Sequence, residues 1–365
     1  MRPVINAQSW VTVRGGSLLA PEVLDAMNEA ATCFVNMEEL NLAAGKVVAR
    51  ACGAEAGLVT ANCAASQVLM VAACMTGTDP MSIEMLPDTK GLRDEVLMFK
   101  GQRNHYDSMF ELSGGNIVEY GGVKDTEPYQ LEAAITDRTC CVAVVNGPFI
   151  PVGLHIDEII RIAHERNVPV ILDAAAEVPP IANLTSFIDQ GVDMVAFSGG
   201  KGIRGPQNTG LLAGRAELVQ AAYENMISFG KPRAGVGRPF KVSKENIVGL
   251  VTAIELFLDI DQEAVWADWR RSGGYIFDRL KGIPHLRIVM EDGDPNRAGP
   301  QPVIYFEPGW DGPKADEIRQ LLEKGDPPIY VGNGGYRDEL NIVMVNVQPG
   351  EEVIIADRLE EILLR

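Results

Sequence analysis

Hydrophobic positions at the start of the chain repeat with helical spacing and then change to the pattern of a strand. Apolar side chains recur at helical intervals over residues 21–52, and Gly53 follows as a stop signal, so this segment is predicted to be helical. Residues 55–60 form a short apolar run that predicts a strand. A turn of small residues precedes the apolar run 68–77, which predicts another helix.

Predicted strands and helices continue to alternate as far as residue 200. Further strands are predicted at 94–99, 116–121, 140–146, 168–173 and 192–200, and helices at 105–114, 129–136 and 156–167. The strands are apolar along nearly their whole length, which is typical of a parallel sheet with helices on both faces. We therefore expect an α/β fold with a mainly parallel sheet in a large domain.

The pattern changes in residues 230–244, which are rich in glycine, proline and basic side chains and predict a connection. A long helical pattern follows at 244–282, and shorter predicted strands and helices alternate after it. This part predicts a smaller α/β domain with an antiparallel sheet. The predicted boundary divides the chain into a large domain at 1–240 and a small C-terminal domain at 241–365.

Composition and charge restrict the classes of partner. The chain has 365 residues, of which 46% are hydrophobic and 22% charged, so it can build packed cores in two domains. Its formal net charge is −18, which opposes binding to the phosphate backbone of a nucleic acid. A local cationic pocket can still bind a small anion, so the charge favours a small-molecule substrate over a polynucleotide.

The six cysteines form neither a CxxC motif nor a Cys/His cluster with zinc spacing. Most of them lie in apolar segments, which is typical of reduced, buried thiols. The first residues lack the apolar run of a signal peptide, and no stretch approaches the length of a membrane span. We expect a cytoplasmic protein that binds neither a metal nor a membrane.

Lys201 is the first candidate for chemistry. It follows a predicted buried strand in a glycine turn, at the carboxyl end of the sheet, where α/β proteins bind ligands. The segment 198–210 combines glycines with donors such as Ser198 and Arg204. It does not match a nucleotide-binding phosphate loop, because Val195 stands where that pattern requires glycine. A solvated loop lysine is the alternative interpretation.

Asp173 ends the predicted strand 168–173. A carboxylate at the end of a buried strand loses solvation unless a partner compensates for it. A protonated pyridine nitrogen would be such a partner, because the ionised carboxylate keeps the ring protonated. A helix cap or a turn aspartate is the alternative.

The turn at 62–66 consists of small residues and precedes the apolar helix. Small side chains let the backbone approach an anion, and the free N–H groups at a helix start bind phosphate. The alternative is a helix start that is simply packed closely in the core.

These three features occur in the order phosphate turn, strand-end aspartate and strand-turn lysine. In this order the chain resembles the fold-type I enzymes that use pyridoxal 5′-phosphate (PLP), and among them the selenocysteine synthase-like family, related to L-seryl-tRNA(Sec) selenium transferase. The resemblance covers most of the chain and lies in residues 5–16, 53–66 and, most specifically, 191–215. It implies a large PLP-binding domain of the aspartate aminotransferase type and a homodimer or higher homo-oligomer.

The resemblance also implies roles for individual residues. Lys201 would carry PLP covalently, and Asp173 would pair with the protonated ring nitrogen. Cys63 and Ala64 would bind the cofactor phosphate through their backbone N–H groups, and Ser198 would face the same phosphate.

His105 and four arginines complete the predicted site. The resemblance implies that His105 lies over the cofactor ring, and a surface turn histidine is the alternative. Arg14, Arg204, Arg233 and Arg238 are candidates to bind a substrate carboxylate or phosphate, because guanidinium matches these anions. A solvated surface arginine is the alternative for each.

Within the family, residues 21–52 and their flanks resemble the D-glucosaminate-6-phosphate ammonia lyase branch more than the branch that acts on tRNA. The resemblance implies that Lys201 removes the α-proton of a small β-hydroxy amino acid. Loss of the hydroxyl group then leads to a 2-keto acid and ammonia. A racemase or an aldolase is the alternative enzyme, and a nucleotide-binding scaffold is the alternative outside catalysis.

One position departs from the family pattern. Family members often carry an arginine after the strand that ends here near Gly332. This chain has Gly332 and Asn333 there, with Arg337 nearby. The departure leaves the ligand of the substrate carboxylate open.

Overall fold

The computed structural model of the protein describes most of the chain in two compact units. The larger unit is Leu19–Leu258, and the smaller unit combines Met1–Leu18 with Asp259–Arg365. The described residues are 1–147, 150–227, 233–292, 299–333 and 338–364.

Twelve strands and thirteen α-helices are assigned within the described residues. The strands are β1 (Ile5–Ala7), β2 (Ala56–Thr60), β3 (Glu95–Phe99), β4 (Asn116–Tyr120), β5 (Thr139–Val145), β6 (Val170–Asp173), β7 (Met194–Ser198), β8 (Gly210–Gly214), β9 (Leu286–Glu291), β10 (Gln301–Phe306), β11 (Ile329–Asn333) and β12 (Glu339–Asn341). The helices are α1 (Pro21–Ala31), α2 (Met37–Cys52), α3 (Cys63–Thr76), α4 (Pro80–Met85), α5 (Ser108–Glu111), α6 (Pro128–Ala134), α7 (Ile156–His164), α8 (Asn183–Asp189), α9 (Ala216–Met226), α10 (Lys244–Leu258), α11 (Gln262–Leu280), α12 (Ala315–Glu323) and α13 (Glu351–Leu363). No described helix is both long and apolar enough to cross a membrane.

The larger unit is built on a seven-stranded sheet in the order β2-β8-β7-β6-β5-β3-β4. Strands β7, β6, β5, β3 and β4 are parallel, and β8 is antiparallel to both β2 and β7. Alternate side chains of β3 enter two separate cores, Leu97 and Phe99 on one face and Val96 and Met98 on the other. The predicted α/β class with a mainly parallel, doubly covered sheet is confirmed.

Strand β8 is one of the elements that the hydrophobic pattern did not predict. Its five residues pair with both β2 and β7, which places Thr60, Gly210 and Ser198 side by side across the three strands. Glycine is required at position 210, because a Cβ atom there would lie 2.6 Å from the Asn62 carbonyl carbon. Through β8, the carboxyl ends of β2 and β7 reach the same edge of the sheet.

The smaller unit has a five-stranded sheet in the order β1-β11-β12-β10-β9. Strand β1 is parallel to β11, whereas the other pairs are antiparallel. Helices α11, α12 and α13 contribute Ile276, Ile318 and Leu359 to its core. The sheet of this unit therefore includes a strand from the start of the chain.

The division between the units follows Leu258, whereas the sequence analysis placed the domain boundary near residue 240. The difference arises because Ile247 and Leu250 of α10 join the core of the larger unit. The long predicted helix is two helices, since the Asp261 side chain caps α11 by accepting a hydrogen bond of 3.0 Å from the backbone N–H of Ala264.

Candidate active site

The three predicted features meet at one edge of the seven-stranded sheet. Thr60 ends β2 and Ser198 ends β7, and both are in register with Gly210 of β8. Asp173 ends β6 and is in register with Ala196 of β7. The turns that follow β2, β6 and β7 therefore lie together, as expected for the carboxyl ends of parallel strands.

Asp173 is a buried carboxylate held by three donors. Its Oδ1 accepts hydrogen bonds from Cys63 Sγ at 3.2 Å and from the Ala175 backbone N–H at 3.0 Å. Its Oδ2 accepts a hydrogen bond from Gln67 Nε2. Burial raises the pKa of Asp173, and these hydrogen bonds together with the charge of Lys201 oppose that rise. A cationic partner in contact with Asp173 would favour its ionised form.

The start of α3 presents backbone donors beside this carboxylate. The Asn62 side chain accepts a hydrogen bond of 2.7 Å from the Ala65 N–H, which caps the helix. The N–H groups of Cys63 and Ala64 lie in the first turn and have no partner within the helix. This arrangement suits an anion, because the N–H groups and the helix dipole both favour negative charge.

Lys201 stands in a turn that the glycines before and after it make possible. The Gly199 N–H donates to the Thr209 carbonyl at 2.8 Å, and a Cβ atom at Gly199 would lie 2.2 Å from Thr209 Oγ1. A Cβ atom at Gly202 would lie 2.1 Å from the Val178 carbonyl oxygen. The backbone around Lys201 is thus tightly enclosed. The Lys201 side chain is half-buried, and its charge opposes the rise that burial causes in the pKa of Asp173.

The groups at this edge fit PLP. The buried carboxylate of Asp173 matches the protonated ring nitrogen, the start of α3 matches the phosphate, and the Lys201 amine matches the reactive aldehyde. Ser198 is half-buried at the end of β7, on the same edge. Its assigned contact with the phosphate stays a prediction.

Gln67 is a residue of this site that the sequence analysis missed. It lies in the apolar helix α3, is 3% exposed and donates to Asp173. A long polar side chain within an otherwise apolar helix is the signal that could have identified it. Its Oε1 atom is buried and has no hydrogen-bond partner among the described residues.

A second missed pair lies beside Asp173. Asn146 follows β5, and its backbone N–H donates to the Asp173 carbonyl at 2.9 Å. The Asn146 side chain donates to Glu177 Oε2 at 3.1 Å, and Glu177 is 2% exposed. This carboxylate and amide therefore line the same edge of the sheet.

Of the predicted arginines, Arg204 shares the turn of Lys201. Its N–H donates to the Lys201 carbonyl at 3.0 Å, and its backbone adopts a left-handed conformation with φ of 58°. Burial lowers the pKa of its guanidinium. Arg204 is half-buried and its backbone lies in the turn of Lys201, so it stays a candidate for binding an anion.

The other two arginines of the larger unit are exposed. Arg238 lines a cavity of about 760 Å³ together with Lys241, Phe34 and Val35. Arg233 donates from Nη1 to the Glu84 carbonyl at 2.8 Å. Their roles in substrate binding stay predictions.

His105 and Arg14 each lie beside an aromatic ring. His105 is exposed, and its ring centroid lies 4.1 Å from that of Tyr106. Arg14 belongs to the smaller unit, where its guanidinium carbon lies 3.4 Å from the centroid of the Tyr330 ring. Neither assigned role is tested by these contacts. Arg337 lies outside the described residues.

The comparisons with known proteins agree with this geometry. The family model of aminotransferase class-V matches residues 114–306. A 5′-C-glycyluridine monooxygenase-decarboxylase from Streptomyces sp is 33% identical, over 99% of this chain and 90% of the relative. A D-glucosaminate-6-phosphate ammonia lyase from Salmonella typhimurium (strain 14028s / SGSC 2262) is 30% identical, over 99% of this chain and 96% of the relative.

A solved structure of D-glucosaminate-6-phosphate ammonia-lyase superimposes with a TM-score of 0.87 at 29% identity, covering 100% of this chain and 96% of the other. At lower identity the chain also matches L-seryl-tRNA(Sec) selenium transferases, for example 27% over 70% of the length of one from Nitratidesulfovibrio vulgaris. The resemblance inferred from the sequence is confirmed. The chain therefore belongs to the aminotransferase class-V family, and its cofactor is pyridoxal 5′-phosphate.

Proposed function

We propose that the protein is a PLP-dependent ammonia lyase, a carbon–nitrogen lyase that converts a small β-hydroxy amino acid to a 2-keto acid and ammonia. The observation that carries the reaction class is the nearly full-length similarity to D-glucosaminate-6-phosphate ammonia lyase, which extends to the fold at a TM-score of 0.87. The name of that relative suggests a sugar-derived, phosphorylated substrate for this chain as well.

The side chains of the site support this chemistry in distinct ways. The chemistry that PLP supplies when bound is the withdrawal of electrons from the substrate α-carbon. Asp173, with its three hydrogen-bond donors, holds a proton on the ring nitrogen. Lys201 would carry the cofactor, and once the substrate amine has displaced it, its free Nζ atom would accept the α-proton of the substrate. The N–H groups of Cys63 and Ala64 bind the cofactor phosphate.

The substrate anion requires a cation near Lys201. Arg204 is our candidate for this cation, because its backbone shares the turn and the residue is half-buried. We assign Arg238 to the same task at the cavity that it lines with Lys241. The net charge of −18 opposes binding of tRNA, whereas a local cation can still bind a small anionic substrate.

A second candidate is oxidative decarboxylation of an amino acid. It is favoured by the 33% identity to the 5′-C-glycyluridine monooxygenase-decarboxylase over 99% of this chain. Racemisation and aldol cleavage remain the further alternatives, because both begin with the same activation of the α-carbon.

One experiment separates these reactions. The PLP-loaded protein is incubated in deuterated buffer with a panel of β-hydroxy amino acids that includes D-glucosaminate 6-phosphate, and Lys201→Ala is the control. We expect equal amounts of ammonia and keto acid. Oxygen uptake with release of carbon dioxide would identify the decarboxylase. Intact, α-deuterated amino acid as the sole product would identify a racemase, and an aldehyde with a smaller amino acid would identify an aldolase.

A further inference from the structure

Asp173 has a definite number of acceptor positions left for the cofactor. An ionised carboxylate offers about four lone-pair positions, two on each oxygen. Cys63 and Ala175 occupy the two positions on Oδ1, and Gln67 occupies one on Oδ2. Donors from the described residues thus leave one position on Oδ2, and the ring N–H of PLP is the donor that it suits.

Both side chains that contact Asp173 act as donors there. Burial and the neighbouring Asp173 raise the pKa of the Cys63 thiol, so the thiol stays protonated. Its sulfur lies 3.2 Å from Asp173 Oδ1 and 3.6 Å from the Ala196 carbonyl oxygen, and the charged acceptor is the stronger one. Gln67 must direct its NH₂ group to Asp173, since its oxygen would repel the carboxylate.

We propose that Cys63 and Gln67 are positioning residues that keep Asp173 ionised and direct Oδ2 to the ring nitrogen of PLP. A carboxylate that loses a donor becomes a stronger base. The shared proton then moves from the ring nitrogen toward Asp173, and the cofactor withdraws electrons less effectively. Cys63 thus contributes its thiol to this role, in addition to the backbone N–H assigned to the phosphate. The inference rests on the PLP site and is independent of the reaction proposed above.

The first test measures the proton directly, without substrate. The protein is loaded with PLP labelled with ¹⁵N at the ring nitrogen, and the nitrogen chemical shift is recorded across neutral pH. We expect Cys63→Ala and Gln67→Met to move the signal from the protonated toward the neutral position. Cys63→Ser keeps a donor and is expected to retain the protonated signal.

The matched control is Cys74→Ala, the same substitution on the same helix. The Cys74 thiol interacts with Cys141 and not with Asp173. We expect this variant to keep the protonated signal. A protonated signal in both Cys63→Ala and Gln67→Met, or an equal change in Cys74→Ala, would overturn the proposal.

The second test separates positioning from general packing. Cofactor affinity is measured by fluorescence with PLP and with an analogue that has carbon in place of the ring nitrogen. For PLP we expect each substitution to weaken binding about tenfold, because it weakens the charged hydrogen bond between Asp173 and the ring nitrogen. The loss should vanish with the analogue. An equal loss with both cofactors would assign the two residues a structural role only.

Folding is checked by circular dichroism. If Cys63→Ala does not fold, Gln67→Met carries both tests by itself, because Gln67 lies outside the phosphate-binding turn. Neither test uses turnover, so they can succeed even when the lyase assignment fails.

Discussion

The Cys63 thiol lies 3.2 Å from Asp173 Oδ1 and thereby joins the first turn of α3 to the end of β6. The same residue supplies a backbone N–H at the helix start. One residue, Cys63, therefore links the backbone N–H groups that match the phosphate of PLP to the carboxylate that matches its ring nitrogen.

Lys201→Ala is expected to abolish the visible absorption of the bound cofactor and to lower turnover by at least about 100-fold, since a positioned acid or base contributes on that scale. Borohydride reduction of the parent protein should fix the cofactor to the peptide that contains Lys201, as read by mass spectrometry. Lys90→Ala, at an exposed position, is the control. Full absorption in Lys201→Ala would refute the assignment.

Asp173→Asn is expected to stabilise the cofactor-free protein at neutral pH while it lowers turnover. Burial raises the pKa of Asp173 in the folded state above the ordinary value of 3.8, so folding favours the protonated form. Its contribution to stability is present below pH 3.8 and is lost as the pH rises through the raised pKa. Asparagine does not ionise, so the variant does not lose stability in this way as the pH rises.

The measurement is the melting temperature of both cofactor-free proteins from pH 4 to pH 8. The variant's advantage should grow with pH and then level off. Added PLP should reduce the difference in melting temperature, because the cationic ring nitrogen stabilises the ionised carboxylate of the parent protein. A difference that is constant with pH would show that Asp173 is not the titrating group.

Gly202→Ala tests how closely the turn around Lys201 is packed. The new methyl group would lie 2.1 Å from the Val178 carbonyl oxygen, so the turn must shift. We expect a loss of about 1–3 kcal/mol in the free energy of unfolding together with weaker PLP binding. Gly274→Ala is the control, because no atom lies within 4 Å of its added Cβ and alanine favours the helix. Unaltered PLP binding in Gly202→Ala would contradict the predicted strain.

Much of this site could be predicted from the sequence because it rests on local patterns. A buried apolar run followed by a carboxylate made Asp173 a candidate, a glycine turn after a buried strand made Lys201 another, and the family resemblance supplied the role predicted for each. Apolar runs of this kind predict where strands occur, but they predict the strands and their order in the sheet only in part. The sequence of β8 is short and has glycine at both ends, so it looks like the loop around it.

The contacts that escaped prediction are those between distant parts of the chain. Gln67 reaches Asp173 across two elements, and helical periodicity contains no information about which polar side chain meets which. Strand β1 is three residues long and pairs with β11, a strand near the other end of the chain. The boundary near residue 240 followed a change in composition, whereas the compact units follow the packing of α10.

We also predict a homodimer or a multiple of it. Phe34 is fully exposed, and Val35 and Leu42 nearby are 41% and 55% exposed. An exposed apolar group of this kind is typical of a protein–protein contact. Light scattering should give at least twice the chain mass of 39.5 kDa, and Phe34→Glu should weaken the association. A mass of one chain in fully active protein would exclude the oligomer.

The last prediction concerns the cation that binds the substrate anion. Arg204 is half-buried in the turn of Lys201, whereas Arg233 is exposed and donates to the Glu84 carbonyl. Arg204→Gln should therefore raise KM about tenfold or more, the size of one charge-assisted hydrogen bond, with a smaller effect on kcat. Arg233→Gln should change both constants less than Arg204→Gln does, and Arg238→Gln tests whether the cavity that Arg238 lines holds the other end of the substrate. A substrate without a phosphate should respond less to Arg238→Gln if that residue binds the phosphate. Equal KM values in the parent and Arg204→Gln would remove Arg204 from the site and leave the PLP assignment intact.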